Sequence, residues 1–230
     1  MKSSKQDAFT LIELLVVISI IAILAGIALP VFGEVQVRGA QTKALSNAKQ
    51  IGLACKLFAT DYNGNYPMYT DISKDPKVSA TPGSSSNDVL QTLMPDYLPD
   101  KSIFGIPKSA FCKKVGAGQT GNKLGSQENE WAYCLGLSDT SNSRFPLLAD
   151  GFKTPSSGSY STDETDFGGV WKGKKAIVIR CDTSGTVETL LSTNHTVKRS
   201  ENNTKNAFIA GPNDDPPWFG TGVSVLNPAQ

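Results

Sequence analysis

The chain of 230 residues balances 22 Lys and Arg against 21 Asp and Glu, a formal net charge of +1. That balance supplies no field to hold it on nucleic acid, and it marks neither a polyanion binder nor an acidic tail. With 39% hydrophobic and 19% charged residues, the chain is too apolar to be disordered throughout.

The apolar residues are crowded at the amino terminus. Residues 9–32 read FTLIELLVVISIIAILAGIALPVF and hold one ionisable side chain, Glu13. A membrane-spanning helix needs about 20 apolar residues, so this run is long enough to cross a bilayer. Lys2 and Lys5 precede it, with Asp7 between them and the run. Positive residues stay cytoplasmic, which puts the carboxyl-terminal bulk outside the inner membrane. Three readings compete. A cleaved secretory signal would end near Gly26-Ile27-Ala28. A plain single-span anchor would stay uncut. The third reading rests on Glu13, since a carboxylate near the bilayer interior costs about 2.5–3.5 kcal/mol and so needs a partner or a task.

Residues 8–17, AFTLIELLVV, resemble the prepilin cleavage and methylation signature of type IV pilins and type II secretion pseudopilins. The resemblance is close over residues 2–32 and specific. It implies that prepilin peptidase removes residues 1–8 by cutting between Ala8 and Phe9, and that Phe9 is then N-methylated. It also implies that Glu13, at the fifth mature position, serves assembly, and that Pro30 is the helix-kinking proline. The family carries Gly before the scissile bond where this chain has Ala8. Ala is the smallest alternative, so processing is expected to survive. Glu13 stands one helical turn beyond the new α-amine of Phe9 and would set the register of stacked subunits by pairing with it. Losing Lys2, Lys5 and Asp7 with the leader brings the side-chain charges into balance, as suits a densely packed subunit.

Beyond Pro30 the pattern changes. Ala44, Ala48, Ile51, Cys55, Phe58 and Tyr62 recur at steps of three and four, the signature of an amphipathic helix with one apolar stripe. Lys43, Asn47, Lys49, Gln50 and Lys56 fall largely off that stripe. One helix is therefore expected over 9–62, with residues 9–32 as membrane or filament core and 33–62 as an amphipathic half. Gly26, Pro30, Gly33 and Gly39 are places where it would bend or melt. Asp61-Tyr62-Asn63-Gly64-Asn65 supplies the stop, with Gly64 at positive φ.

Residues 63–230 read as a globular head of short elements. Ser84-Ser85-Ser86-Asn87 caps a short helix over 88–94. Residues 131–135 and 146–149 are expected strands. Residues 175–181 and 186–190, joined by Asp182-Thr183-Ser184-Gly185, form the clearest hairpin. The expectation is an α+β fold, a small antiparallel sheet against the long helix, which is also the pilin-like arrangement the resemblance implies. The last thirty residues carry no periodicity and are expected to be a wrapped or disordered tail.

Enzyme chemistry is not expected. The single histidine, His195, stands in a polar stretch without a nucleophile motif and reads as a surface residue. No phosphate loop and no HExxH motif occurs. Cys55, Cys112, Cys134 and Cys181 are too scattered for a zinc site. In an oxidising space they allow three pairings, of which Cys112–Cys134 closes the shortest loop in the head. Cys55, on the apolar stripe, is a candidate buried thiol. No cofactor is expected except calcium, which some similar pseudopilins bind. Asp61-Tyr62-Asn63-Gly64-Asn65 begins like a D-x-N-x-N loop, but Tyr66 and Ile72 stand where an EF-hand needs Gly and Glu. Asp163-Glu164-Thr165-Asp166 and Asp214-Asp215 read as solvated loop acids.

The leading reading is a fibre subunit of a type II secretion pseudopilus or a type IV pilus-like fibre. It would sit in the bacterial inner membrane with its amino terminus cytoplasmic and its head periplasmic, then pass into the fibre. Its partners would be copies of itself, other pseudopilins, prepilin peptidase and an inner-membrane assembly platform. The alternative is an anchored periplasmic binding domain, carbohydrate-recognising for example, with Trp131, Trp171 and Trp218 as stacking platforms.

Overall fold

The computed structural model describes residues 10–68, 84–112, 121, 123–154, 157–199, 204–209 and 223–229. The expected leader, Ala8, Phe9, Ile72, Asp214, Asp215 and Trp218 lie outside them. The chain divides into two compact units after Ala40. The helix α1 (Leu11–Asp61) runs through both, with Pro30 inside it. The sequence therefore places a proline where the backbone stays α-helical rather than melts. Its missing N–H and its ring ordinarily oppose a helix interior.

In the first unit, the large side chains from Leu11 to Val35 are exposed, Leu11 at 81% and Val35 at 58%. Beyond the helix's own backbone and the adjoining residues, nothing lies within 4 Å of where a β-carbon on Gly26, Gly33 or Gly39 would stand.

In the second unit, α1 packs by the stripe the periodicity marks out. Ala44, Ala48, Ile51, Cys55 and Phe58 are all buried, together with Asn47, Gly52, Ala54 and Ala59. Small residues on that face bring the helix axis close to its neighbours. Asn47 is buried because its amide donates to Gly105 O at 3.1 Å. The helix stops where Asn63 (φ 53°) and Gly64 (φ 81°) turn left-handed. The Gly64 amide donates back to Ala59 O at 2.8 Å, satisfying a carbonyl the helix end would orphan.

A five-stranded antiparallel sheet holds the unit together, in the order β4-β3-β2-β1-β5. Its strands are β1 (Trp131–Leu135), β2 (Pro146–Asp150), β3 (Lys175–Arg180), β4 (Gly185–Thr189) and β5 (Ser224–Leu226). The fold is thus α+β, a long helix with a small antiparallel sheet, as expected. Trp131 stands opposite Asp150, and Ile177 opposite Val187. Every residue of β1 and β2 is buried, so these central strands are covered on both faces. At the β4 edge Arg180 crosses to Glu188 at 2.7 Å and to Thr186 at 2.9 Å.

The expected tail contributes an edge strand. β5 is only three residues long, too short for any alternation to declare it, and its Leu226 pairs with Tyr133. Asn227 fastens it by exchanging hydrogen bonds with the main chain of Phe152, at 2.7 and 3.1 Å.

The short helix α2 (Ser86–Leu90) starts two residues earlier than the sequence suggests and runs into a 3₁₀ turn, Gln91–Leu93. Ser85 is its N-cap, and Asp88 closes the capping box by returning to the Ser85 amide at 2.9 Å. The residue read as the helix start is thus the third helical position, where an acid serves the cap.

Candidate functional site

The chemistry-bearing positions of the amino-terminal segment begin at Thr10. Its amide and hydroxyl both donate to Glu13 Oε2, at 2.9 and 2.7 Å. The Glu13 amide donates in return to Thr10 Oγ1 at 3.3 Å. Thr10-x-x-Glu13 is therefore a reciprocal capping box at the start of α1, and it satisfies two amides that a helix start leaves without intrahelical partners. Glu13 therefore has a local role besides the expected assembly role, and the spacing of a Thr and a Glu before an apolar run is its signal in the sequence. Ser19, next along the apolar run, keeps its hydroxyl on the Leu15 carbonyl at 2.8 Å. By length and composition this part of α1 can cross a membrane, and its apolar window is unburied.

The other candidate residues do not converge. Cys55, Cys112, Cys134 and Cys181 are all free thiols, so the expected Cys112–Cys134 disulfide is absent. The reason is position. Cys134 lies inside β1, fully buried and within electrostatic reach of Cys181. Cys112 ends a different segment, where Glu130 and Glu128 are its charged neighbours. Shortness of the loop in sequence did not bring the two sulfurs together. Cys55 is a buried thiol, as its place on the stripe indicated.

His195 is half-buried rather than a surface residue. It holds a left-handed backbone at φ 52°, and its Nδ1 lies 3.0 Å from Gly173 O. Trp131 and Trp171 are core residues, exposed by 0% and 6%, and cannot serve as stacking platforms.

The acids weighed for calcium are engaged by donors of the protein itself. Asp61 accepts the Tyr97 hydroxyl at 2.5 Å. Asp163 takes the amide and hydroxyl of Thr165, at 2.9 and 2.7 Å. Asp166 takes Lys153 at 2.8 Å and Ser161 at 2.9 Å, and Glu164 pairs with Lys172 at 2.8 Å. Among the described residues no group of three or more His, Cys, Asp or Glu side chains is placed to hold a metal ion.

A helix that opens on a Thr–Glu cap, shows an unbroken apolar surface and then packs on an antiparallel sheet defines a pilin-like subunit architecture. The comparisons with known proteins agree. The family described as "Prokaryotic N-terminal methylation motif" matches residues 3–29. The type IV major pilin protein PilA of Myxococcus xanthus (strain DK1622) is 47% identical over 71 residues. That stretch is 31% of this chain and 30% of that protein, so the chain matches less than a third of the relative's length. Both matches are partial likenesses, one to the methylation motif and one to a type IV pilin. No solved structure matches the chain significantly. The apolar helix and the motif point to membrane anchoring.

Proposed function

We propose that the chain is a structural subunit of a type IV pilus-like fibre, built by packing α1 of one copy against α1 of others. The observation that carries this reading is the exposed apolar surface from Leu11 to Val35, opened by the Thr10–Glu13 cap within the methylation-motif match. Such a surface has two stable environments, a bilayer before assembly and a bundle of like helices after it. In this reading prepilin peptidase cuts between Ala8 and Phe9, Phe9 is methylated, and the head lies on the far side of the inner membrane. An inner-membrane platform then lifts the subunit into the fibre. The fibre is a surface pilus or the pseudopilus of type II secretion, and the role is structural rather than enzymatic.

Glu13 is the residue on which assembly turns. Leaving the cap, its carboxylate would meet the methylated amine of Phe9 on a neighbouring copy, and the two charges would offset each other's desolvation. Mass spectrometry of the mature amino terminus tests the processing step. A methylated Phe9 is the expected result, whereas a start near Leu29 or an intact Met1 would overturn it. Replacing Glu13 with Val should abolish fibres while the subunit still enters the membrane.

A further inference from the structure

Glu130 is 1% exposed, and Asp150 is 3% exposed. They flank one rung of the sheet, since Glu130 immediately precedes Trp131, whose register partner is Asp150. Glu130 Oε2 accepts the Ser109 hydroxyl at 2.7 Å. The same Ser109 oxygen accepts the amides of Phe111 and Cys112, each at 3.0 Å. Its acceptor capacity is then full, so its own proton is committed to Glu130. Glu130 Oε1 is buried with no hydrogen-bond partner. An ionised carboxylate in this place would be a buried charge with half its acceptor sites empty.

The Ser109 hydroxyl and the Cys112 amide both favour that charge, but burial outweighs them. From the 101–112 segment Glu130 faces the Cys112 thiol, itself pushed up by burial and by Glu130 and Glu128. Glu128 is occupied by Lys101 at 3.2 Å and by the Gly125 amide at 2.7 Å. On β2 the charged group within electrostatic reach is Asp150, whose Oδ1 holds the Ile177 amide at 2.9 Å and beside which the Tyr160 hydroxyl donates to the Asp150 carbonyl at 3.2 Å. Among the described residues neither acid has an ion-pair partner. Burial raises both acids to about 7, and the charge of Glu130 adds to the shift at Asp150. The charges are alike, so each disfavours ionisation of the other, as a smaller effect than burial.

Glu130 is also the fastening point of the 103–112 segment. Its amide donates to Phe104 O at 3.0 Å, and the next residue's indole, Trp131 Nε1, donates to Ile103 O at 3.2 Å. The turn over 107–112 is half-exposed to exposed. We propose that Glu130 is a proton-dependent latch: with its carboxyl neutral it fastens the 103–112 segment to the entry of β1, and on ionising it lets that segment open and admit water. Asp150 tunes the latch by resisting a second charge. The device is local to the head and does not depend on the fibre reading.

Hydrogen exchange of the full chain in detergent micelles tests it, with wild type and Glu130→Gln compared at each pH so that base-catalysed exchange cancels. At pH 5.5 the amides of 103–112 should exchange alike in the two proteins. At pH 8.5 the wild type should exchange roughly tenfold or more faster than the variant, each unit above the midpoint being worth about a factor of ten. A ratio that stays constant between the two pH values would overturn the proposal. If Glu130→Gln fails to fold, carbon-13 carboxyl spectra of the wild type decide. A Glu130 midpoint near 7 shared by the 103–112 amides supports the latch, and a midpoint below 5 removes it.

Discussion

Gly52 of α1 lies so close to Ile179 of β3 that a β-carbon on it would stand 2.9 Å from Ile179 Cγ2. The distance is shorter than any ordinary carbon contact, and the methyl belongs to a β-branched side chain with 0% exposure. Unlike the far end of a flexible chain, it has no open space to move into. The glycine is therefore what lets α1 and β3 approach closely at this point.

Gly52→Ala should accordingly destabilise the head. Helix propensity alone favours Ala by about 1 kcal/mol. Overpacking of a filled core costs about 1–3 kcal/mol, and the steric term wins at this distance. Chemical denaturation should show a net loss, and Gly52→Val a larger one. Gly39→Ala is the control, because nothing beyond the helix's own backbone and the adjoining residues stands within 4 Å of a β-carbon there and only the propensity gain remains. A Gly52→Ala protein more stable than wild type would refute the close approach.

Tyr66 carries the segment beyond the helix stop back into the core. It is 1% exposed, and its hydroxyl donates to Cys181 O at 3.0 Å, just past the end of β3. Tyr66→Phe keeps the ring and leaves that carbonyl short of a donor, so a loss of about 1–2 kcal/mol is expected. Equilibrium denaturation reads it directly. No change in midpoint would mean that water replaces the hydroxyl without cost.

What was legible in the sequence follows from which signals are local. The stripe from Ala44 to Phe58 repeats at helical spacing, and the helix buries those residues. The hairpin of β3 and β4 has β-branched arms around a turn rich in turn-formers, and it forms within a residue or two of its expected ends. β5 was invisible because three residues carry no period, and its place is set by the partner strand β1. The same holds for the acids. Nothing in the run around Glu130 distinguishes it from a surface glutamate, and its burial arises only when the 103–112 segment closes over it. Glu13 was conspicuous because an acid in an apolar run is a local anomaly. Thr10 drew no notice because a hydroxyl there is ordinary.

Thiol chemistry should report the same arrangement of cysteines. Cys55, Cys134 and Cys181 are 0–1% exposed, and burial raises each thiol, Cys181 to about 12. Cys112 is half-buried and also pushed up to about 12 by burial. Thiolate is the reactive form, so every site should label slowly at neutral pH. Cys112 should react first because reagent can reach it, and all four should react at once in denaturant. Peptide mapping of unreduced protein is the counter-measurement, since a Cys112–Cys134 linked peptide would contradict the free thiols seen here.

Stability of the head should be greatest on the acid side of neutrality. Burial raises Glu130 and Asp150 to about 7, far above the ordinary carboxylate range. Between about pH 4 and 7 the folded chain therefore binds more protons than the unfolded chain, and stability falls as the pH rises. One proton retained across that whole window corresponds to about 4 kcal/mol. Below it the opposite class takes over. Asp88 pays a burial cost but is held low by hydrogen bonds from Ser84 and Ser85, and Glu188 likewise by Thr186 and Arg180. Those groups contribute stability that disappears as the pH drops through their lowered values. Denaturation midpoints should thus peak near pH 4–5 and decline toward pH 8. Asp150→Asn keeps an oxygen for the Ile177 amide while removing the buried charge, so its decline should be shallower than that of the wild type. A wild-type midpoint that climbs steadily from pH 5 to 8 would show that these two carboxyls ionise without cost in the folded chain.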